Sequence, residues 1–500
     1  MLQLDSRLDD AAAYQVITAR DARFDGRLFV GVTSTGIYCR PICRVRTPLR
    51  KNCRFFDTPA QAEAAAFRPC LKCRPEIAPG ADHAWTTMDA SRTLARQAAD
   101  ALDAHADKLE PPSVAALAER LGVSDRHLRR IFQAEHGVTP LQYLQTRRLL
   151  LAKQLLTDTR LPVAQVALAS GFNSLRRFNA AFAESYRMSP SRLRGEIVDE
   201  VPASDAGITV KLAYRAPYDV VALMRFIAQR AIPGIEHVEG QRVRRSVRAG
   251  TVTAAAGWVE AEFAVAASLT QPALLHVRFA PGMAGASGAV VAAVRRWLDL
   301  DAMPQAIDAA LADLPGEAGL RLPGSLDAFE LAVRAVLGQQ VTVAAARTLA
   351  RRVVERFGEP IGTPWADVSR VFPAPETLAG AALESIAELG IIRTRAGAII
   401  GIAKAWPQIA TRLVPKARAE PLIEALCALP GIGPWTAHYI AMRALGWPDA
   451  FPPNDVAVLK AMRERFHTTN QREAGARAQA WQPWRSYAVL RLWNSLEKKP

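Results

Sequence analysis

Two groups of side chains in this 500-residue sequence are of types, and at spacings, that can do chemistry. The first is Cys39-Arg40-Pro41-Ile42-Cys43 together with Cys70-Leu71-Lys72-Cys73, two close thiol pairs joined by a stretch with the composition of a folded segment. Paired thiolates with three and two residues between them can wrap a single tetrahedral Zn²⁺, and a metal-bound sulfur stays deprotonated and nucleophilic at neutral pH. A purely structural zinc site would use the same spacing. The second is a lone carboxylate, Asp455, 22 residues beyond Gly433 of the run Leu429-Pro430-Gly431-Ile432-Gly433-Pro434-Trp435-Thr436-Ala437. An Asp before a helix is ordinarily its N-cap, and an ionised carboxylate in a cleft can also face a developing cation.

Each group needs elements to hold it. Phe451-Pro452-Pro453-Asn454 carries two prolines that force an extended segment, and Val456 to Met462 has helical apolar periodicity, so Asp455 falls at a helix start. Upstream, an apolar helix over Pro421 to Leu429 enters a turn with two glycines and a second helix leaves it. The amides of Gly431 and Gly433 and the next helix N-terminus then face outward, where they can bind a phosphate without reading sequence. Between the two chemical sites, Val114 to Ser124 reads as a helix, a glycine turn and a serine cap leading into Asp125 to Gln133, and the plan recurs at Val163 to Asn173. The offset is 49 at Gly122 and Gly171 and 50 at the closing Thr139-Pro140 and Ser189-Pro190, which predicts two helix-turn-helix units in tandem, joined by a helix around Leu141 to Leu156. Their second helices present Arg126, His127, Arg129 and Arg130, then Ser174, Arg176, Arg177 and Asn179, side chains suited to base edges and phosphates.

Composition divides the chain. Residues 1–79 hold five of the six cysteines, Pro79 to Asp82 reads as a linker, 85–198 is helical, and Val201 to Gly207 is a second linker. Residues 207–300 alternate short β-rich runs (Thr209 to Tyr214, Gln241 to Val247, Trp258 to Phe263, Leu274 to Phe279) with a helix at Tyr218 to Ala231, and 304–500 is helical, broken at Leu322-Pro323-Gly324 and at the hairpin. The predicted fold class is multidomain and mainly α: a small zinc-bound α+β domain, an all-α tandem helix-turn-helix domain, an α+β subdomain and an all-α helix-hairpin-helix core. The net charge of +15 is spread along the chain, with 29 Lys+Arg against 22 Asp+Glu in residues 1–200 and 34 against 26 in the rest, so both halves suit a polyanion. Met1 to Tyr14 has no apolar signal core, and nowhere do eighteen apolar residues run uninterrupted, so a cytoplasmic protein with no membrane partner is expected. Six cysteines are too few for a disulfide scaffold, and five of them fall between positions 39 and 73, which suits metal in a reducing compartment. Cys53 reads as a small buried hydrophobe, and Cys427, apolar in context, as structural.

The hairpin followed by an aspartate resembles the helix-hairpin-helix glycosylase superfamily, whose catalytic aspartate Asp455 matches. Members that also cut the backbone carry a lysine where this chain has Trp435, so no Schiff base is expected. From Thr209 to Trp493 the chain resembles AlkA-type 3-methyladenine DNA glycosylases: Ala216-Pro217-Tyr218-Asp219, Gly319 to Gly324 with Asp327-Ala328-Phe329-Glu330, Val336 to Val341, the hairpin, and Trp481 to Ala488 follow in order. The resemblance implies that an extruded alkylated base sits among Trp435, Tyr439 and Trp493, whose faces favour a cationic purine by about 1–2 kcal/mol once desolvated. It also implies that Asp455 steadies the oxocarbenium-like sugar as the base departs. Where relatives place a leucine wedge in the DNA gap, this chain has Gln340. The hairpin carbonyls are a candidate site for a monovalent cation.

Thr35-Gly36-Ile37-Tyr38-Cys39-Arg40-Pro41 and Phe67-Arg68-Pro69-Cys70 resemble the N-terminal domain of Ada adaptive-response proteins, over residues 12–76. That implies Cys39 as acceptor of a methyl group from a DNA phosphotriester, with Cys43, Cys70 and Cys73 as companion zinc ligands. Four thiolates on Zn²⁺ carry a formal −2, and methylating one leaves −1. At about 8 Å this relieves roughly 0.5 to 2 kcal/mol of repulsion per phosphate for dielectrics of about 80 to 20. The paired helix-turn-helix units resemble the AraC-type DNA-binding domain, and the Pro-Cys-His-Arg motif of the O6-methylguanine acceptor domain is absent from the sequence. Together the resemblances imply a monofunctional glycosylase fused to a methyl-sensing transcription regulator, acting in the bacterial cytoplasm in association with the nucleoid, as a monomer, on double-stranded DNA and with RNA polymerase. The rival reading is a transcription regulator whose glycosylase fold is a passive DNA-binding module.

Overall fold

The computed structural model describes residues 8–80, 90–103, 105–106, 108–195, 207–264, 273–413 and 418–497; the linker positions 81–82 and 201–206 lie outside them. The chain divides into two compact units, one made of Met1–Ala216, Ala264–His276 and Ala284–Ala289, the other of Pro217–Phe263, Val277–Met283 and Val290–Pro500.

The first unit opens with helix α1 (Asp10–Ala19), capped where Asp9 accepts from the Ala12 amide at 2.7 Å. A four-stranded sheet follows in the order β3-β1-β2-β4, with β1 Phe29–Val32, β2 Ile37–Cys39, β3 Cys53–Phe56 and β4 Arg68–Pro69. The β2–β4 pairing is parallel, with Tyr38 opposite Pro69, and the Cys70 amide donates to the Tyr38 carbonyl at 3.0 Å. Ladder register therefore brings Cys39 and Cys70 together. Helix α2 (Pro59–Ala64), with Thr58 as its cap, packs on this sheet.

Seven helices continue the unit: α3 Ala90–Asp103, α4 Val114–Arg120, α5 Asp125–His136, α6 Pro140–Asp158, α7 Val163–Ala169, α8 Leu175–Tyr186 and α9 Pro190–Gly195. Ser113, Ser124 and Ser174 cap α4, α5 and α8, and Thr139 with Gln142 forms a reciprocal capping box on α6. The two helix-turn-helix units (α4–α5 and α7–α8) are joined by the nineteen-residue α6, which runs three residues wider than Leu141 to Leu156. Both turn glycines are left-handed, but for Gly171 (φ 81°) there is also no room for a Cβ, which would stand 2.4 Å from the Ala106 carbonyl oxygen. Strand β5 (Ile208–Ala213) belongs to this unit.

The second unit begins with α10 (Val220–Arg230), capped by Asp219, and an antiparallel meander of β6 Glu236–Glu239, β7 Arg242–Val247 and β8 Gly257–Phe263, in register through Val238, Val243 and Ala261. Strand β6 is an addition to the runs read from the sequence, since its Glu-His-Val-Glu composition carries almost no strand signal. Residues 277–279 of strand β9 (Leu274–Phe279), residues 290–297 of helix α11 (Ser287–Trp297) and helix α12 (Pro304–Ala310) belong to this unit and precede its helical core. Its centre is α13 (Ala328–Leu337), apolar on nearly every side and buried to match. Around it stand α14 Val343–Phe357, the short α15 Pro375–Ala379 and α16 Leu383–Ala387, α17 Arg393–Ala410, α18 Glu420–Cys427 and α19 Pro434–Ile440. Phe329, Val333, Val336, Ile399, Ile402, Leu422, Leu426, Ala437 and Ile440 pack in one cluster. Helix α19 runs on into a π-helical turn, Ala441–Leu445, ended by Gly446 at φ 72°. Helices α20 Val456–Phe466, α21 Gln471–Ala478 and α22 Arg485–Glu497 complete the unit.

One structural reading of the sequence is corrected: Cys427 is exposed. Leu422 and Leu426, four apart, form the buried stripe of α18, and the next residue is turned about 100° away from it.

Candidate functional site

The cysteine pairs converge. The sulfurs of Cys39, Cys43, Cys70 and Cys73 all lie within 4.8 Å of one another, three of the residues buried and Cys73 half-buried. Cys39 ends β2, Cys43 follows a turn closed by its amide on the Arg40 carbonyl at 3.1 Å, and Cys70 and Cys73 follow β4. Arg40, inside the first pair, is buried: its backbone amide donates to the Cys73 sulfur at 3.3 Å, and its guanidinium reaches the Cys73 carbonyl at 3.0 Å and the Asp25 carboxylate. Four soft sulfurs aimed at one point, with no oxygen ligand among them, are the donor set that fits tetrahedral Zn²⁺. Among the four thiols, the hydrogen bond with Cys39 draws Cys70 well below the usual thiol range, and the hydrogen bond with Cys43 pushes Cys39 above it. Cys53 stands apart, buried, its sulfur 3.4 Å from the Leu49 carbonyl, and burial raises its thiol.

On the paired helix-turn-helix units, Leu128, Ile131 and Phe132 of α5 and Phe178, Phe182 and Tyr186 of α8 face the interior. Arg126, Arg129, Arg130, Arg176, Arg177 and Asn179 are exposed on the opposite faces, and His127 is half-buried. Arg129 bonds Asp125 one turn back at 3.1 Å, and Arg130 lies 3.1 Å from the His127 ring nitrogen.

In the second unit Asp455 lines a cleft of about 1340 Å³. Its side chain is held from three directions and the residue is only 5% exposed. Oδ1 accepts from the Val458 amide at 2.8 Å and from the Trp493 indole N–H at 3.1 Å, and Oδ2 accepts from the Trp435 indole N–H at 2.8 Å. Asp455 is therefore the N-cap of α20 and a wall of the cleft at once. Asn454 before it takes a left-handed conformation (φ 56°), with its amide on the Gln471 side chain at 2.9 Å, and so turns the chain from the proline segment into the helix.

Trp435 and Tyr439, one turn apart on α19, stack on each other with centroids 5.3 Å apart and planes at 8°, and Tyr439 and Trp493 stand 6.3 Å apart at 45°. Behind them lies a cationic wall. Arg443 donates to the Tyr439 hydroxyl at 2.9 Å and to the carbonyls of Pro323 and Gly324, with its guanidinium 4.7 Å from the Phe226 ring. Arg230 lies 3.7 Å from the same ring, and Arg334 bonds Glu330 at 2.8 Å. Burial alone would raise the Tyr439 phenol, but Arg443, Arg230 and Arg334 outweigh it and bring it below the usual tyrosine range. The sequence offered a signal for Arg443, four residues after Tyr439 on one helix face. It offered none for Arg230 and Arg334, which come from α10 and α13.

At the hairpin, Gly431 is left-handed (φ 83°) and a Cβ there would meet the Ala398 Cβ at 2.9 Å, whereas Gly433 is the extended N-cap of α19 with open space around it. Gln339 was also not singled out in the sequence. Its amide donates to the Gly431 carbonyl at 3.1 Å and to the Thr436 hydroxyl at 3.0 Å, tying the turn after α13 to the hairpin. The next residue, Gln340, is exposed and left-handed (φ 54°) at the edge of the cleft. Val456, beside Asp455 on the same cleft, is 81% exposed.

A four-cysteine module, paired helix-turn-helix units and a helix-hairpin-helix core thus occur in one chain. Known families match in the same order: the metal binding domain of Ada over residues 12–76, a helix-turn-helix domain over 117–196, the AlkA N-terminal domain over 209–327 and the HhH-GPD superfamily of base excision DNA repair proteins over 333–486. The chain belongs to the family of a Mycobacterium tuberculosis protein described as a probable bifunctional transcriptional activator/DNA repair enzyme AlkA, with 36% identity over 98% of this chain and 97% of that protein. It is similar over 56% of its length, at 34% identity, to DNA-3-methyladenine glycosylase 2 of Escherichia coli, 95% of which is covered. It is also similar, over 28% of its length and at 36% identity, to the bifunctional transcriptional activator/DNA repair enzyme Ada of the same organism, 37% of which is covered.

Proposed function

We propose that this protein excises 3-methyladenine and related alkylated bases from double-stranded DNA by hydrolysis of the N-glycosidic bond, and that it reports alkylation through a methyl-accepting cysteine and two sequence-reading helix-turn-helix units. Residues 1–79 are the methyl-accepting domain, 85–198 the reader, 207–300 the α+β subdomain and 304–500 the glycosylase core. The observation that carries the reading is the Asp455 carboxylate, the cap of its own helix and held by two indole N–H groups, on the wall of a cleft that the hairpin glycines also line.

An alkylated purine already carries a positive charge, so it leaves as a neutral base and takes the electron pair of the C1′–N bond with it. The charge passes to the sugar, where Asp455 stabilises the oxocarbenium-like centre and orients the water whose oxygen bonds to C1′ and whose proton is released to solvent. Trp435, Tyr439 and Trp493 receive the flipped nucleotide. Gly431 and Gly433 hold the backbone, and either the Gln340 amide or a neighbouring side chain fills the gap. With Trp435 where a lyase would need an amine, the product is an abasic site in an intact strand.

At the cysteine cluster, the Cys39 sulfur attacks the methyl carbon of a phosphotriester: the S–C bond forms, the C–O bond breaks, and the phosphodiester keeps the electron pair as its negative charge. Zinc bound by Cys39, Cys43, Cys70 and Cys73 would keep the sulfurs deprotonated. A thioether then replaces a thiolate, the cluster repels phosphate less, and the reader holds its promoter more tightly for RNA polymerase. The same reading makes the protein a cytoplasmic monomer associated with the nucleoid, and gives a monovalent cation the hairpin carbonyls as its site. The test is release of free 3-methyladenine from methylated DNA, expected of wild type and lost in Asp455→Asn. A wild type that releases none would leave a regulator with a passive glycosylase fold.

A further inference from the structure

The cysteine module and the reader are joined by buried charges. Arg74, the residue after Cys73, is a non-glycine in the left-handed region (φ 53°), a conformation kept only when its surroundings enforce it. Its guanidinium bonds Glu76 at 2.9 Å and Asp158 at 2.6 Å, and Glu76 bonds Lys153 at 2.5 Å. Lys153 and Asp158 belong to α6, the helix between the two helix-turn-helix units. The side chains of Arg74, Glu76, Lys153 and Asp158 are 14%, 0%, 2% and 2% exposed. Further contacts join the same parts: the Gln61 amide donates to the His136 carbonyl at the end of α5 at 3.1 Å, and Glu63 accepts from Tyr38 at 3.1 Å and from Thr146 of α6.

Two cations and two anions taken out of water gain little over well-packed apolar side chains of the same volume. What such a network supplies is one orientation. We infer that Arg74, Glu76, Lys153 and Asp158 are positioning residues, a clasp that holds the cysteine cluster at a fixed place relative to the helix-turn-helix units so that the charge of the cluster is felt by the DNA they bind. The inference rests on the methyl-accepting role proposed for Cys39. Its physical basis is range. Repulsion between a cluster and a phosphate fades within a Debye length, about 8 Å at physiological salt, so a loosely tethered module would swing clear of the backbone and its methylation would change nothing. A clasped one cannot move away, and the loss of one negative charge reaches the phosphates directly.

The test compares methylated with unmethylated full-length protein on a duplex selected from a random pool by the methylated wild type, with fluorescence anisotropy as the readout. Methylation is by a phosphotriester-bearing duplex and is verified as a mass gain on Cys39. For wild type, methylation tightens binding by about tenfold or more. In Glu76→Gln/Lys153→Met, which neutralises both partners, Cys39 still takes the methyl group but the methylated-to-unmethylated ratio falls to within about twofold of one. Lys153→Arg, which keeps the charge, retains the wild-type ratio. If the double variant loses its zinc, Asp158→Asn is read instead, since it breaks one arm of the clasp and leaves the Lys153–Glu76 pair. A variant that accepts methyl and keeps the full wild-type ratio overturns the clasp. A wild type that accepts no methyl at all is a different result: it overturns the acceptor reading and this inference with it.

Discussion

The cysteine cluster and the Asp455 cleft solve one problem in opposite ways. Each keeps an anionic atom under cover in a basic protein. The cluster collects four sulfurs from a stretch of 35 residues on one small sheet, and the charge of four thiolates calls for a metal cation among them. Asp455 needs no ion: its oxygens take N–H donors from α19, α20 and α22. The lesson is one of reuse. On the proposed function a thiolate is consumed when it acts, so its site can be built from one loop pair and spent once, whereas a carboxylate that must act repeatedly is fixed by donors from three separate helices.

The largest test of that contrast is removal of the metal. Structural zinc in small modules is worth on the order of 10 kcal/mol, so a chelator should abolish methyl uptake and melt the cysteine module, seen by calorimetry, while excision by the second unit continues at its original rate. If excision stops as well, the two sites are not independent. Next is Asp455→Asn. Asparagine remains a good helix cap, so α20 should keep its stability while kcat falls by about 10²- to 10⁴-fold, with methyl uptake at Cys39 unchanged.

A third prediction turns on Glu63, which burial pushes up from 4.5 to about 8 despite hydrogen bonds from Thr146 and Tyr38. The folded state then binds a proton that the unfolded state releases, so the stabilisation is full below about pH 4.5 and is lost as pH rises toward about 8. Thermal melts of the first unit should fall by an amount equivalent to a few kcal/mol at most over that window, and Glu63→Gln should flatten the profile. Smaller still, Trp493→Phe keeps the ring but removes one donor from Asp455, and single-turnover excision should slow by about tenfold. Trp435→Phe should do the same through the other oxygen. Smallest is Gln339→Leu, which frees the turn after α13 from the hairpin: KM for damaged duplex should rise a few-fold with kcat nearly constant, since a net hydrogen bond is worth about 1 kcal/mol.

What was legible in the sequence follows from distance along the chain. The four cysteines are close pairs, and the tandem helix-turn-helix plan repeats at a near-constant offset, so both could be read directly. Asp455 was legible through the hairpin before it and the prolines beside it, although its sequence context suggested a cap or a cleft residue and the structure makes it both. The arginines behind Tyr439 were hidden because Arg230 and Arg334 sit in helices more than a hundred residues apart, where each looks like the solvated face of an amphipathic segment. Cys427 was misread because apolar neighbours in sequence are not neighbours on a helix. The charged strand β6 went unseen because its partner β7, and not its own composition, makes it a strand.

The wide turn at Ala441–Leu445 fixes something that composition alone does not. Such a turn is an α-helix with one residue inserted. Delete Ala441 or Met442 and the helix can close as an ordinary α-turn, but Arg443 then stands three residues after Tyr439 instead of four, about 100° round the helix axis, away from the carbonyls of Pro323 and Gly324 and from the Tyr439 hydroxyl. Reading frame aside, the loss of a single codon in this short stretch should therefore be far less forgiving than any one replacement within it, and descendants of this gene should vary here in letter but not in count.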